Sequence, residues 1–172
     1  MPLNHSSKYS ELTDQQFLLL GKIMLEFSNV DFLLGQLLSR LLSTPDFLGR
    51  TYSDRLNVSN IQQAILNALR IHSERYLYRK ISEPICISIK GLNTRVTALR
   101  GYRNKFAHFC WQRLDDNQIY GNKLSGNVPD EKLISKESAI VTNTQLQELY
   151  KSAYGIVEDL NKIIATLPQI QE

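Results

Sequence analysis

The chain has 172 residues, of which 42% are hydrophobic and 22% charged, the balance of an ordinary globular protein, which argues against extended disorder and against a membrane class. That length suits one domain with a single sizeable core that needs neither disulfides nor metals. The net charge of +3 is too small to imply a nucleic-acid partner by itself.

The start, Met1 to Glu11, is polar and offers no apolar signal core, and the apolar runs near Phe17 and from Phe32 to Leu42 are broken by polar residues. No stretch of roughly 20 apolar residues is present to span a bilayer, so a cytoplasmic protein is expected.

Thr13 and Gln16 are spaced as a capping box, with Leu12 and Phe17 placed as a hydrophobic staple, so a first helix is expected to start near Thr13. It should run to about Ser43, where Thr44 and Pro45 stop it. Pro45 to Asn57 reads as a loop with at most a short helical turn. Ser59 is placed to cap a second helix reaching about Tyr78, with Ile61, Ile65, Leu66, Leu69 and Leu77 as its apolar stripe. Ser82 and Pro84 open a third, expected to extend to about Phe109.

Beyond it, Phe109, Trp111 and Leu114, then Asp115, Asp116 and Asn117, then Ile119 and Tyr120 suggest two short strands around a turn. Gly121 to Glu137 is expected to be a mobile polar loop, and Ser138 to Val141 can add a strand beside the hairpin. Thr142 and Gln145 make a second capping box, which opens a last amphipathic helix to about Thr166. The expected fold is all-α, a helical bundle of four main helices with a small β-hairpin before the last one, in one domain over residues 1–172.

Two helices carry a charge within an apolar row. In the third, Ile85, Ile89, Leu92, Val96, Leu99, position 103, Phe106 and Cys110 recur at spacings of four and three, and position 103 is Arg. In the first, Phe17, Leu20, Met24, Phe27, position 31, Leu34, Leu38 and Leu41 do the same, and position 31 is Asp. A buried charge needs a partner, and Arg103 with Asp31 would form one. A second row on the first helix, Leu20, Ile23, Phe27, Val30, Leu34, Leu37 and Leu41, fits equally well and leaves Asp31 out.

Charge is also distributed unevenly. Residues 84–114 contain no Asp or Glu, but do contain Lys90, Arg95, Arg100, Arg103, Lys105 and Arg113. Such a segment suits a phosphate-binding surface, here assigned to Arg95, Arg100, Lys105 and Arg113, although solvated or paired cations would give the same pattern. His108 follows Arg103 by five residues, about 140° around an ideal helix and about 7.5 Å along it. Asn104 and His108 are four apart and share a face, and Ala107 between them leaves room for close approach.

Arg103, Asn104 and His108 together supply a phosphate-binding fork, a neutral amide and an imidazole. RNA transesterification needs such groups: a base for the 2′-hydroxyl proton, an acid for the leaving oxygen and a cation for the phosphorane charge. Tyr102, Phe109 and Trp111 flank the motif and are able to stack on an unpaired base, with core packing the alternative use of these rings.

The run Tyr102, Arg103, Asn104, Lys105, Phe106, Ala107, His108 resembles the motif of HEPN domains, in which Arg and His are separated by four to six residues and a polar residue often follows the Arg. The segment from Asn29 to Leu34 is similar to the first long helix of such proteins, where an acid often stands in the place of Asp31. The resemblance implies a helical bundle with the motif near the end of its third long helix, and a homodimer that brings two motifs together. It implies a ribonuclease of a toxin–antitoxin, phage-defence or RNA-processing system, with RNA as substrate and an antitoxin or nucleotidyltransferase as a candidate partner. Other members of the family keep the fold as nucleotide-binding or interaction modules without cleaving RNA. A binding module that uses the basic helix, and a structural dimer in which Arg103 is an ion-pair member, are therefore the competing readings.

Other chemistries find no motif. There is no Gly-x-x-x-x-Gly-Lys loop, no Gly-x-Ser-x-Gly elbow and no His-x-x-x-His or Cys-x-x-Cys spacing, so neither a cofactor nor a metal is expected. His5 carries no signal, and His72 reads as an ordinary helix-surface residue. Cys86 and Cys110 are expected to be buried, reduced thiols.

Overall fold

The computed structural model describes residues 11–75, 81–123 and 137–170. Among them the chain is mainly helical, with helices α1 (Asp14–Leu41), α2 (Asp46–Ser53), α3 (Val58–Arg75), α4 (Glu83–His108) and α5 (Asn143–Thr166). Strands β1 (Cys110–Arg113), β2 (Gln118–Lys123) and β3 (Glu137–Thr142) form one antiparallel sheet in the order β1-β2-β3. His5, Leu77, the expected helix end near Tyr78 and most of the expected loop, residues 124–136, lie outside the described residues.

The chain divides into two compact units, and α1, α4 and α5 each contribute to both. The first unit holds α1 up to Leu25, the end of α4 from Leu99, the sheet, and α5 to Ser152. Its core includes Leu19, Ile23, Leu99, Phe109, Ile119, Val141 and Leu146, all buried. The capping box at the start of α1 forms in both directions, Thr13 N–H to Gln16 Oε1 at 2.9 Å and Gln16 N–H to Thr13 Oγ1 at 3.2 Å. Gln16 is fully buried, and its amide nitrogen also donates to the carbonyls of Asp115 and Gln118 at 3.0 and 3.3 Å. One side chain thus caps α1 and satisfies the hairpin turn.

The hairpin is two strands of three, and β2 reaches Lys123, so the loop expected from Gly121 starts later. The cause is local: Gly121 stands opposite Trp111 in the ladder, and a Cβ there would lie 2.7 Å from the indole ring. The residue that reads as a loop breaker is the one that lets the indole lie across the strand. At α5, Thr142 and Gln145 form the second reciprocal capping box, at 2.9 and 3.1 Å.

The second unit holds the remainder of α1, all of α2 and α3, α4 to Ala98 and α5 from Ala153. Here α1 buries Phe27, Val30, Leu33, Leu34, Leu37, Leu38 and Leu41. Along α1 as a whole Phe17 is exposed and Asp31 half-buried, so the row without Asp31 is the one that packs. The helix ends at Leu41, before Thr44 and Pro45, because Ser43 adopts a left-handed φ of 51°. The Ser43 N–H then meets the Arg40 carbonyl and the Thr44 N–H the Ser39 carbonyl, both at 3.1 Å. This is a Schellman ending with serine where glycine is usual.

The segment expected to be a loop contains an eight-residue helix, α2. Its inner side is built of small residues, with Gly49 and Ser53 buried against Ser39 and Gly35 of α1. Phe47, Leu48 and Tyr52 are all exposed on its outer side. Asp46 ties its start to α1, accepting from Arg40 Nε and Nη2 at 2.8 and 2.9 Å and from Gln36 Nε2 at 3.0 Å. Helix α3 begins at Val58, capped by Asn57 Oδ1 on the Asn60 N–H at 2.9 Å, so Asn57 does the capping expected of Ser59. It is joined to α4 by Gln62, whose amide donates to Asn93 O and Thr97 Oγ1, both at 3.0 Å.

Candidate functional site

Helix α4 stays regular through the motif, and the Phe109 N–H still donates to the Lys105 carbonyl at 2.9 Å. The helix therefore does not loosen before His108, and Arg103 and His108 keep their separation of about 140°. The row of Ile89, Leu92, Val96 and Leu99 is buried, and Arg103 continues it as a half-buried residue, followed by half-buried Phe106. Arg100, Asn104 and His108, each four residues from the next, trace a line beside Arg103 and Ala107. Asn104, Ala107 and His108 are exposed and Arg100 is half-buried. The end of α4 thus carries Arg100, Asn104 and His108 along one line, with half-buried Arg103 beside that line at the edge of the buried row.

The remaining cations are disposed differently. Lys105 lies about 140° around the helix from Arg100, and its carbonyl accepts from Trp111 Nε1 at 3.3 Å. Arg113 pairs with Asp116 at 2.5 Å on the surface. Arg95 belongs to the second unit, with its Nη1 2.6 Å from Asp159 Oδ2. Its hydrogen bond and then its charge, with a smaller contribution from Lys162, hold the Asp159 carboxyl below the usual carboxylate range against the opposing effect of burial. Exposed pairs of this kind are worth little. Asp31 lies in the second unit and Arg103 in the first, and each interacts with neighbouring groups.

The aromatic residues divide into packed and open ones. Phe109 is buried, Trp111 is half-buried against Gly121, and Tyr102 remains 39% exposed.

Two expectations need correction, and one buried acid was not foreseen. Cys110 is exposed and Cys86 half-buried, both as free thiols. The helical row cannot carry Cys110 inward because α4 ends at His108 and Cys110 opens β1, where the 3.6-residue period no longer applies. His72 is half-buried rather than an ordinary surface residue, and its Nε2–H donates to the Leu41 carbonyl at 2.6 Å, satisfying an orphan carbonyl at the end of α1. A third row of α1 is also buried, and the acid that interrupts it is Glu26, which neither of the two expected rows contains. Leu19, Ile23, Glu26, Val30, Leu33 and Leu37 are all buried at spacings of four and three, and Asn29 Nδ2 donates to Glu26 Oε2 at 3.0 Å. That spacing was open to inspection in the sequence, hidden only because α1 is apolar on several sides.

The second unit also contains a cavity of about 760 Å³ whose lining includes Leu41, His72, Ile81, Ile85, Leu167 and Ile170. None of the predicted site residues lines it. Among the described residues, no three His, Cys, Asp or Glu side chains are grouped to hold a metal ion, and no helix is long and apolar enough to cross a membrane. No family model matches the chain, and no curated protein or solved structure matches it either.

Proposed function

We propose that the protein is a metal-independent endoribonuclease of the HEPN type, in which Arg103, Asn104 and His108 carry the reaction. The observation that supports this reading is the line of Arg100, Asn104 and His108 along α4, with half-buried Arg103 beside it, in a segment without a single carboxylate. A general base removes the proton of a 2′-hydroxyl, the freed oxygen attacks the adjacent phosphorus, and the bond from phosphorus to the 5′-oxygen breaks as that oxygen takes up a proton. His108 serves as base or acid, Arg103 stabilises the charge on the phosphorane, and Asn104 positions the phosphate or the imidazole. Asp31 is assigned a supporting role, orienting the arginine without touching the substrate.

A homodimer belongs to the same reading, since each chain offers one motif imidazole and the reaction needs both a base and an acid. So do the bundle arrangement of the long helices and a place in a toxin–antitoxin, phage-defence or RNA-processing system. The test is cleavage of labelled RNA in excess EDTA, followed by analysis of the product ends. The expected products carry a 2′,3′-cyclic phosphate and a 5′-hydroxyl. If intact RNA persists with pure wild-type protein over a range of sequences, the nuclease reading fails and a non-catalytic nucleotide- or protein-binding module replaces it.

A further inference from the structure

The cavity of about 760 Å³ lies wholly within the second unit and has no part in the proposed reaction. Protein interiors hold few voids larger than a water molecule, whereas small-molecule sites measure about 300–1,000 Å³ and are lined by apolar groups with a few polar ones. This lining has that character. It is built from the end of α1, from α3, from the residues that open α4 and from those that close α5. Its wall is aliphatic, with Leu41, Leu42, Ile71, Ile81, Ile85 and Leu167 contributing, and among the described residues neither an aromatic ring nor a carboxylate lines it. A planar ring system would find no ring to stack on, whereas an alkyl chain needs only aliphatic contact. At the end of α1 the lining turns polar, with Arg40, with Ser43, and with His72 held through Nε2 at 2.6 Å from the Leu41 carbonyl. The Arg40 side chain is only 8% exposed, and Asp46 takes its Nε–H and one Nη2–H at 2.8 and 2.9 Å. A guanidinium has five N–H donors, so Arg40 can still donate although its charge is already matched.

We propose that this cavity binds an uncharged straight-chain aliphatic molecule carrying one oxygen function, with the chain against the aliphatic wall and the oxygen at the end of α1. The charge balance selects an uncharged head. A carboxylate would be one in excess, since Asp46 already matches Arg40, and an ammonium would meet no carboxylate in the described lining; burying either without a counter-ion is costly. The site goes beyond the RNA-cleaving reading and does not depend on it.

The experiment is isothermal titration calorimetry of the full chain with butan-1-ol, hexan-1-ol and octan-1-ol, then with octanoate and octylammonium. One alcohol molecule is expected to bind per chain, about fourfold more tightly for each added methylene, and both charged analogues should bind about tenfold more weakly than octan-1-ol or not at all. Two variants place the site. Ala68→Leu fills the cavity from its buried wall, and Ile71→Trp fills it from a lining residue that is 45% exposed and so has room to enlarge without disturbing the core. Each should weaken octan-1-ol binding by about tenfold, with circular dichroism confirming the helical fold; if Ala68→Leu fails to fold, Ile71→Trp decides. The proposal is overturned by the absence of saturable alcohol binding, by an affinity that does not rise with chain length, by a charged analogue that binds as tightly as octan-1-ol, or by wild-type octan-1-ol binding in the folded variants.

Discussion

Gln16 uses its carbonyl oxygen for the Thr13 N–H and its amide nitrogen for two carbonyls of the hairpin turn, all while fully buried. Replacing it by Leu keeps the volume but removes the side-chain partner of the Thr13 N–H and the Asp115 carbonyl, while the Gln118 carbonyl keeps the Leu114 and Asp115 N–H groups. Gln16→Leu should therefore destabilise the fold by about 1–3 kcal/mol, whereas the usual loss of an exposed helix cap is about 1 kcal/mol. Chemical denaturation measures the difference, and an effect within about 0.5 kcal/mol of zero, as for an ordinary surface site, would contradict the role. Only half of this was legible in the sequence: Thr13 and Gln16 announce a capping box by spacing alone, but a contact spanning about a hundred positions leaves no local trace. Arg103 and His108 stand out in the sequence as candidates, one as a charge within an apolar row and the other by its distance from it. Glu26 does not, because it lies on a third buried row of α1 that is hard to separate from the others on a helix apolar on several sides.

Among the elements, α2 is the clearest departure from the sequence reading. Gly, Ser, Thr and Asp suggest a loop when taken as turn formers, yet Gly49 and Ser53 recur four apart and match Gly35 and Ser39 of α1. The pattern of small residues is visible only once two helices are compared. A methyl group at position 49 would collide with Ser39, so Gly49→Ala should cost about 1–3 kcal/mol through forced separation of the helices. Gly21→Ala on exposed α1, where nothing lies within 4 Å of the new methyl, should instead stabilise by about 0.5–1 kcal/mol. Thermal denaturation of the two variants tests the contrast, and equal effects would refute it. Asp46 adds a pH dependence. Partial burial alone would raise its pKa, but the hydrogen bonds from Arg40 and Gln36 and the Arg40 charge outweigh this and lower it. A carboxylate with a depressed folded-state pKa contributes stability in full above its unfolded value, and that contribution is lost as pH falls through the folded value. Asp46→Asn should thus weaken the protein at neutral pH, where it leaves the 8%-exposed Arg40 side chain without its charged partner, by about 1.5–3 kcal/mol. It should also flatten the loss of stability below about pH 4. Stability curves for variant and wild type that run parallel between about pH 5 and pH 2 would contradict this assignment.

At the scale of the whole chain, the mainly helical character, both capping boxes and the position of the hairpin were readable from periodicity, because each depends on residues close in sequence. The strand expected at Ser138 to Val141 beside the hairpin is β3, paired with β2, whereas the division into two units depends on residues far apart and leaves no trace in the sequence pattern. For function, a dimer in solution is expected, and light scattering showing a monomer at high concentration would remove the second imidazole from the proposed reaction. The proposed proton transfer by His108 in RNA cleavage is tested most directly by the single-turnover rate of the His108→Ala variant on labelled RNA in EDTA, alongside wild type and Arg103→Ala. The expected result is a loss of roughly a hundredfold to ten-thousandfold for His108→Ala with RNA affinity little changed, and a loss of both rate and affinity for Arg103→Ala. A His108→Ala protein that cleaves RNA at the wild-type rate would contradict it.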